Sequence, residues 1–364
     1  MSSHRSPLHD EHARLGARMA ESEGWSMPLE FAGVFKEYQA HWKASVVWDA
    51  SNLGSIRVSG PGARDLLQRT FTNDLRRCGP GRSQYTFLLS GADASVVDDL
   101  MVWWVETDLF LLTPNRPEAV LSALRSVQAD GPRADCVIED VSADRVLLAL
   151  QGAQAAERMA ELAPAAGSMP ASGVRRLDFH GSTALVATTR FGRQSGFELQ
   201  LAPPAARTVY RSLVARGVAP AGLGMRETHR LEVGIARHGF ELGPAITPLE
   251  VGCERAVGFD TDFVGRSALI TRRRRGIRQI LRAIVMTGRQ IPQHGGDVFL
   301  DDEKVGRVTS GNFSPRLHCG LALAFVRPEV APGSTVTVST VRGEADGTVA
   351  ATPVDPGQAV GART

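Results

Sequence analysis

The sequence predicts an α+β fold of more than one domain, and three observations carry that expectation. The chain has 364 residues, more than a single compact core of ordinary size organises. Between about residues 55 and 140 the apolar pattern switches from strand to helix, back to strands and again to helix, as in a split βαβ, ferredoxin-like unit. Beyond the run Arg272-Arg273-Arg274-Arg275 the pattern is all β, with short alternating segments between Gly and Asp turns, as in a small barrel or roll.

Element by element, residues 8–21 carry charges throughout and predict a helix, Pro28 breaks the chain, and residues 34–46 predict a second helix. Val46–Trp48 leads into a turn cluster, Asp49-Ala50-Ser51-Asn52. The segment SIRVSGPGA then sets Ile56 and Val58 on one face and Ser55, Arg57 and Ser59 on the other before Gly60-Pro61-Gly62 ends it. ARDLLQRTF follows at helical spacing. Tyr85–Leu89, the stretch VVDDLMVWWV and Leu109–Leu112 read as strands, and Pro117–Val127 as a helix. Further on, ALVATTRFG and GFELQLA are strands, and residues 204–216 and 226–236 are helices. The predicted boundaries are a region 1–271 of two subdomains, an Arg-rich linker 272–282 and a C-terminal β-barrel 283–364.

Composition narrows the class. A net charge of +2, with Arg nearly balanced by acidic residues, calls for neither nucleic acid nor an anionic membrane, and few aromatics interleave the Arg run. Cys78, Cys136, Cys253 and Cys319 lie far apart without a CxxC pair, so no disulfide framework or zinc knuckle is expected, and each reads as a small buried hydrophobe. No apolar stretch approaches the roughly 20 residues of a membrane span, and the N-terminus lacks an apolar signal core, so a cytoplasmic location is expected. There is no GxGxxG after a strand, P-loop, GxSxG or HExxH, and the nine histidines lack metal-ligand spacing, so no metal is expected.

Chemistry is best sought in carboxylates set among apolar residues. Asp98-Asp99 interrupts SVVDDLMVWW, and strand alternation sends the two side chains to opposite faces, so only one can face a given cleft. An inward carboxylate is costly unless it is paired or used, either holding a cation or carrying a proton. The alternative is a strand-end Asp satisfied by backbone donors. Glu198 lies between Phe197 and Leu199 and faces away from both; a carboxylate there can receive two parallel N–H donors, or simply be exposed. Arg226 and Arg230, on the helix RETHRLEVG, can reach an anionic ligand or answer Glu227 and Glu232.

These segments, in order, resemble the glycine cleavage T-protein (aminomethyltransferase) family over almost the whole chain. The matching stretches include WDASNLGSIRVSGPGARDLLQRTFTND, QYTFLLSGADASVVDDLMVWW, SGFELQLA, GLGMRETHRLEVGIARHG and GRVTSGNFSPRLHCGLALAFV. The resemblance implies a three-domain cloverleaf that binds tetrahydrofolate and transfers a one-carbon unit between a small methylated or aminomethylated substrate and the folate. It implies Asp99 as the catalytic carboxylate, Glu198 as the pterin receptor, Arg226 and Asn115 as folate contacts, Leu53 packing on the folate, and Tyr85 and Phe191 lining its pocket. DASNL and RFGRQ depart from the family's usual DVSHM and GYTGE, while Trp48 and RQSGFE are similar to the related demethylases of dimethylsulfoniopropionate. A specialised demethylase or methyltransferase is therefore expected. The alternatives are a true glycine cleavage aminomethyltransferase working with a lipoyl carrier protein, the folate half of a demethylating oxidase, and a non-catalytic folate-binding factor for iron–sulfur assembly. The last group's KGCYxGQE motif is replaced here by GLGMRETHRLEVG.

Overall fold

The computed structural model describes residues 3–130, 135–179, 181–191 and 194–351. Its two compact units are Met1–Leu88 with Asp98–Arg226 and Gly258–Val264, and Leu89–Val97 with Glu227–Val257 and Gly265–Thr364.

The first unit contains the expected ferredoxin-like sheet. Ile56–Ser59, Ala63–Thr70 (helix), Val96–Glu106, Leu109–Pro114, Pro117–Asp130 (helix) and Val137–Asp140 follow one another along the chain. Ile56–Ser59 lies between Leu109–Pro114 and Val137–Asp140, all antiparallel, and Val96–Glu106 flanks Leu109–Pro114. Arg82–Leu89 adds a fifth strand at the edge beyond Val96–Glu106.

A second sheet in this unit has six strands, in the spatial order Val174–Phe179, Ser182–Phe191, Gln194–Leu201, Val146–Gln151, Val46–Asp49 and Ala219–Pro220. Its two faces have separate cores. Phe197, Leu199, Leu201, Val146, Leu148 and Leu150 pack against the helices Ala155–Leu162 and Pro203–Ala215 through Met159, Val209, Tyr210 and Leu213. Each such fully buried side chain contributes about 2 kcal/mol of transfer free energy. Leu147, Ala149, Leu185 and Ala187, on the opposite face, pack in a cluster with Trp103 and Leu111 of the ferredoxin-like sheet.

The N-terminal region differs from expectation. The helix spans only His9–Arg14, because Gly16 at φ +78° ends it, and Arg18–Ser22 pairs with Trp25–Glu30 as a hairpin. Glu23 and Gly24, both at positive φ, make the turn. This segment is pinned through His12, whose Nε2 lies 2.9 Å from Asp49 Oδ2 with both side chains fully buried. Ser6 and Ser51 hydroxyls also donate to Asp49. Burial alone would push the Asp49 carboxyl up, but the bonds from His12, Ser51 and Ser6 outweigh it and hold it below the usual range.

In the second unit, Ile280–Met286, Cys319–Val326, Glu303–Ser314, Asp297–Leu300, Thr335–Thr340 and Gly343–Ala350 close into a barrel around Ile284, Val298, Val308, Ala322, Ala324, Val336 and Val349. Gly311 and Gly320 are required where backbone crosses close above them, since a Cβ would strike the carbonyls of Pro292 and Gln290. The Arg run is helical: Arg272–Arg275 form the last turn of the helix Arg266–Arg275, between Gly265 and Gly276, both at positive φ. Cations suit that end of the helix dipole. All four cysteines are free, but only Cys319 is buried; the others are half-buried. No helix among the described residues is long and apolar enough to cross a membrane.

Candidate active site

The alternation expected for VVDDLMVWW holds, and it separates the two aspartates by environment. Asp98 is on the buried face with Val96, Leu100 and Val102, while half-buried Asp99 is on the face of Val97 and Met101. Asp98 is completely buried. It accepts hydrogen bonds from the backbone amides of Asp99 at 2.9 Å, Asn115 at 3.3 Å and Arg116 at 2.8 Å, and from Asn115 Nδ2 at 2.9 Å. Those donors satisfy a carboxylate whose burial would otherwise be expensive.

Both oxygens of Asp99 are also engaged. Tyr85, on the neighbouring strand Arg82–Leu89, donates its hydroxyl to Oδ2 at 3.0 Å. Asn115, just past the strand Leu109–Pro114, donates Nδ2 to Oδ1 at 3.1 Å and to the Asp99 carbonyl at 2.7 Å. The structure thus brings Tyr85, Asp99 and Asn115 together.

Glu198 belongs to the other sheet. It pairs with Ala187 on one side and Ala149 on the other, and Ala149 pairs in turn with Trp48. Its strand neighbours Phe197 and Leu199 point into the helix-covered core, so Glu198 faces the opposite way, as alternation predicted. Both cross-strand neighbours of Glu198 are therefore small. Burial pushes its pKa up to about 7, and the Arg226 charge pulls in the other direction. The side chain nevertheless keeps partial access to water. A buried carboxylate with raised proton affinity is a candidate functional group.

Ala149, Ala187, Trp48, half-buried Leu53 and Met101, and Trp103 form one apolar cluster. The Glu198 face of one sheet and the Asp99 face of the other therefore meet the same cluster, within a single unit. Leu53 packs against it. Phe191 ends the strand Ser182–Phe191, in register with Gln194, and its side chain lies outside the described residues. Arg226 is half-buried on the helix Leu223–Glu232. Arg230, on the same helix, answers Glu227, one of the two partners expected for it, but it is not exposed. It is buried, with Nη1 2.9 Å from Glu241 Oε2, Nη2 donating to Ser310 at 2.7 Å, and Nε to Glu227 at 3.0 Å. For Asp98 the alternative of a carboxylate satisfied by backbone donors holds; sequence reading missed the structural role of Asp49, whose partners Ser6 and His12 are distant along the chain. No group of His, Cys, Asp or Glu among the described residues is arranged to hold a metal ion.

The Asp99 face of one sheet and the Glu198 face of the other, meeting one apolar cluster, make these two carboxylates the candidate site. The GCVT N-terminal domain family matches residues 8–261, and the glycine cleavage T-protein C-terminal barrel domain family matches residues 279–356. An aminomethyltransferase of Rubrobacter xylanophilus is 38% identical over 340 residues, covering 92% of this chain and 90% of that protein. One from Mycobacterium avium is 37% identical over 346 residues, covering 93% of each. The crystal structure of the glycine cleavage system aminomethyltransferase T from Bartonella henselae superposes with a TM-score of 0.88 at 26% identity, covering 96% of this chain and 97% of that one. The chain belongs to the glycine cleavage T-protein family.

Proposed function

We propose that the protein is a tetrahydrofolate-dependent aminomethyltransferase that takes its one-carbon unit from an aminomethyl group on a lipoyl carrier protein. The observation that carries this reading is Asp99, fixed at both oxygens by Tyr85 and Asn115 on the face that meets the same apolar cluster as Glu198. The relatives are aminomethyltransferases, and they favour aminomethyl transfer over the demethylation expected from the substituted segments 49–53 and 190–194. In the first of these, Asp49 and Ser51 are tied to each other and to the N-terminal segment, a structural role that says nothing about the donor.

The residues present fit a reduced pterin. Glu198, flanked by Ala149 and Ala187, offers two acceptor oxygens to a flat heterocycle edge with two parallel N–H donors, and a charge-assisted pair of this type is strong and directional. Leu53 and Met101 offer apolar surface to the ring, and Arg226 a cation to an anionic part of the ligand. When bound, tetrahydrofolate supplies the amines that accept the one-carbon unit. Asp99 is the chain's own contribution to the chemistry. As a carboxylate it stabilises positive charge developing on the departing aminomethyl group and orients that group, a preorganised arrangement because its oxygens do not have to reorient. The surrounding cluster keeps bulk water from the transferred carbon.

The test is turnover of wild type and Asp99→Asn with tetrahydrofolate and an aminomethyl-loaded lipoyl carrier, following ammonia and 5,10-methylene product. Asn keeps the shape and removes the charge, so turnover is expected to fall by about 100-fold or more while folate affinity changes by less than about threefold. Full turnover of Asp99→Asn overturns the catalytic assignment. A 5-methyl product from methylated sulfur or nitrogen compounds, with none from the loaded carrier, overturns the choice of substrate.

A further inference from the structure

We propose that Asp98 is a positioning residue for the reaction: the buried Asp98–Asn115 pair aims the Asn115 amide at Asp99 and fixes the direction of the Asp99 carboxylate. The inference deepens the function proposed above and rests on Asp99 acting there.

The argument begins with donor and acceptor numbers. Asn115 Nδ2 carries two hydrogens and lies within bonding distance of three oxygens: Asp98 Oδ1 at 2.9 Å, the Asp99 carbonyl at 2.7 Å and Asp99 Oδ1 at 3.1 Å. Two hydrogens shared among three acceptors give a defined geometry only if the amide plane is set from elsewhere. Asp98 sets it. Its Oδ1 takes the amide nitrogen of Asn115 as well as Nδ2, and its Oδ2 takes the amide of Arg116 at 2.8 Å. One carboxylate therefore fastens both the backbone and the side chain at position 115 to the strand that carries Asp99. Because Asp98 is fully buried, no water competes for those bonds, whereas Asn115 and Asp99 are half-buried and would otherwise adjust to solvent. Tyr85 completes the arrangement from the adjacent strand, holding the second oxygen of Asp99. Tyr85 across the sheet is hydrogen-bonded to Asp99, and Asp98 lies next to it on the opposite face of the strand. The adjacent aspartates divide the work: one faces the apolar cluster and reacts, and the other faces the core and aligns it.

A residue that acts only through another leaves a particular signature, and the test reads it in Asp98→Asn, Asn115→Ala and the double variant. Asn at 98 turns one acceptor oxygen into a donor facing donors. Turnover is expected to fall by about 10- to 100-fold in each single variant, with folate affinity within about threefold of wild type in Asp98→Asn, which leaves every folate contact in place. The double variant is expected to be no slower than Asn115→Ala by more than about twofold, since the route from Asp98 is already cut. Independently of any substrate, exchange of the Asn115 side-chain amide protons, followed by nitrogen-edited NMR, is expected to speed up by at least about tenfold in Asp98→Asn, while the backbone amide of Leu112 keeps its protection. If Asp98→Asn fails to fold, Asn115→Ala still decides: losing a donor is expected to raise the midpoint of the Asp99 carboxyl titration, read by carbon-13 NMR and assigned with Asp99→Asn. A loss of thermal stability with turnover and amide exchange unchanged overturns the proposal, as do losses that multiply in the double variant or an unmoved Asp99 titration. Failure of the catalytic assignment itself is recognised separately, by full turnover of Asp99→Asn.

Discussion

With Glu198 in its proposed role as pterin receptor, folate binding is expected to be strongly pH-dependent in a direction that can be worked out. Its pKa is about 7 because the carboxyl is surrounded by protein, and Arg226 only partly compensates. A protonated carboxyl presents one donor and one acceptor, so against two parallel N–H groups one contact becomes donor against donor. The ligand must therefore bind the ionised form. At pH 8 that form predominates. At pH 6 about one-tenth of the molecules carry it, so apparent affinity falls about tenfold, or ~1.4 kcal/mol, and at pH 5 about a hundredfold. Binding at pH 6 also releases close to one proton. Isothermal titration calorimetry with tetrahydrofolate in two buffers of different ionisation enthalpy measures both quantities. Glu198→Gln supplies the control: it binds weakly at every pH, and whatever pH dependence it retains belongs to the ligand. A wild-type affinity that stays flat from pH 5.5 to 8 refutes the reasoning. So does an equal slope in wild type and Glu198→Gln.

Three further outcomes follow from the same physical chemistry. The raised Glu198 pKa contributes stability that is present below the ordinary value of 4.5 and lost as pH rises through about 7. Glu198→Gln is therefore expected to be more stable than ligand-free wild type by roughly 1–3 kcal/mol at pH 8 and about equal at pH 4, as read by urea denaturation. Asp49 has the opposite sign: its lowered pKa contributes stability present above the ordinary 3.8 and lost as pH falls through the lower folded value. Asp49→Ala, which leaves His12 buried without its partner, is expected to cost about 3–5 kcal/mol and to make the segment around residues 9–30 the first site of limited proteolysis. In the second unit, Glu241→Ala strands buried Arg230 and is expected to lower stability by about 3–5 kcal/mol, whereas Glu241→Gln, which keeps an acceptor for Arg230 and Ser310, loses less.

Much of the fold was legible in the sequence because the information was local. Alternation of Ile56 and Val58, the helical spacing in ARDLLQRTF and the Gly- and Asp-punctuated strands after residue 280 each depend on residues a few positions apart, and the sheets and barrel formed accordingly. Glu198 was legible for the same reason, since the direction of its side chain is fixed by Phe197 and Leu199 next to it. Where reading failed, the deciding partner was remote or conformational. The helix expected over residues 8–21 stops early because Gly16 takes positive φ and residues 18–22 find a hairpin partner. The Arg run is the end of a helix because a left-handed glycine starts it and another residue of positive φ stops it.

The adjacent aspartates show how far local periodicity can carry a functional argument. Alternation requires that Asp98 and Asp99 face opposite ways, and the family resemblance selects Asp99, but neither says what the other one does. That depends on Asn115 and Arg116, which reach Asp98 only because the strand Leu109–Pro114 pairs antiparallel with Val96–Glu106 and brings Leu100 opposite Pro114. With that register, the chain leaves its strand directly beside the two carboxylates, and the first two residues beyond it deliver three donors to Asp98 and one to the Asp99 side chain. A shift of one residue in the pairing would turn the alternation over and remove Asn115 from both. The geometry at Asp99 is therefore a property of strand register as much as of the residues themselves, with Asp98 bonded to both residues that follow the paired strand.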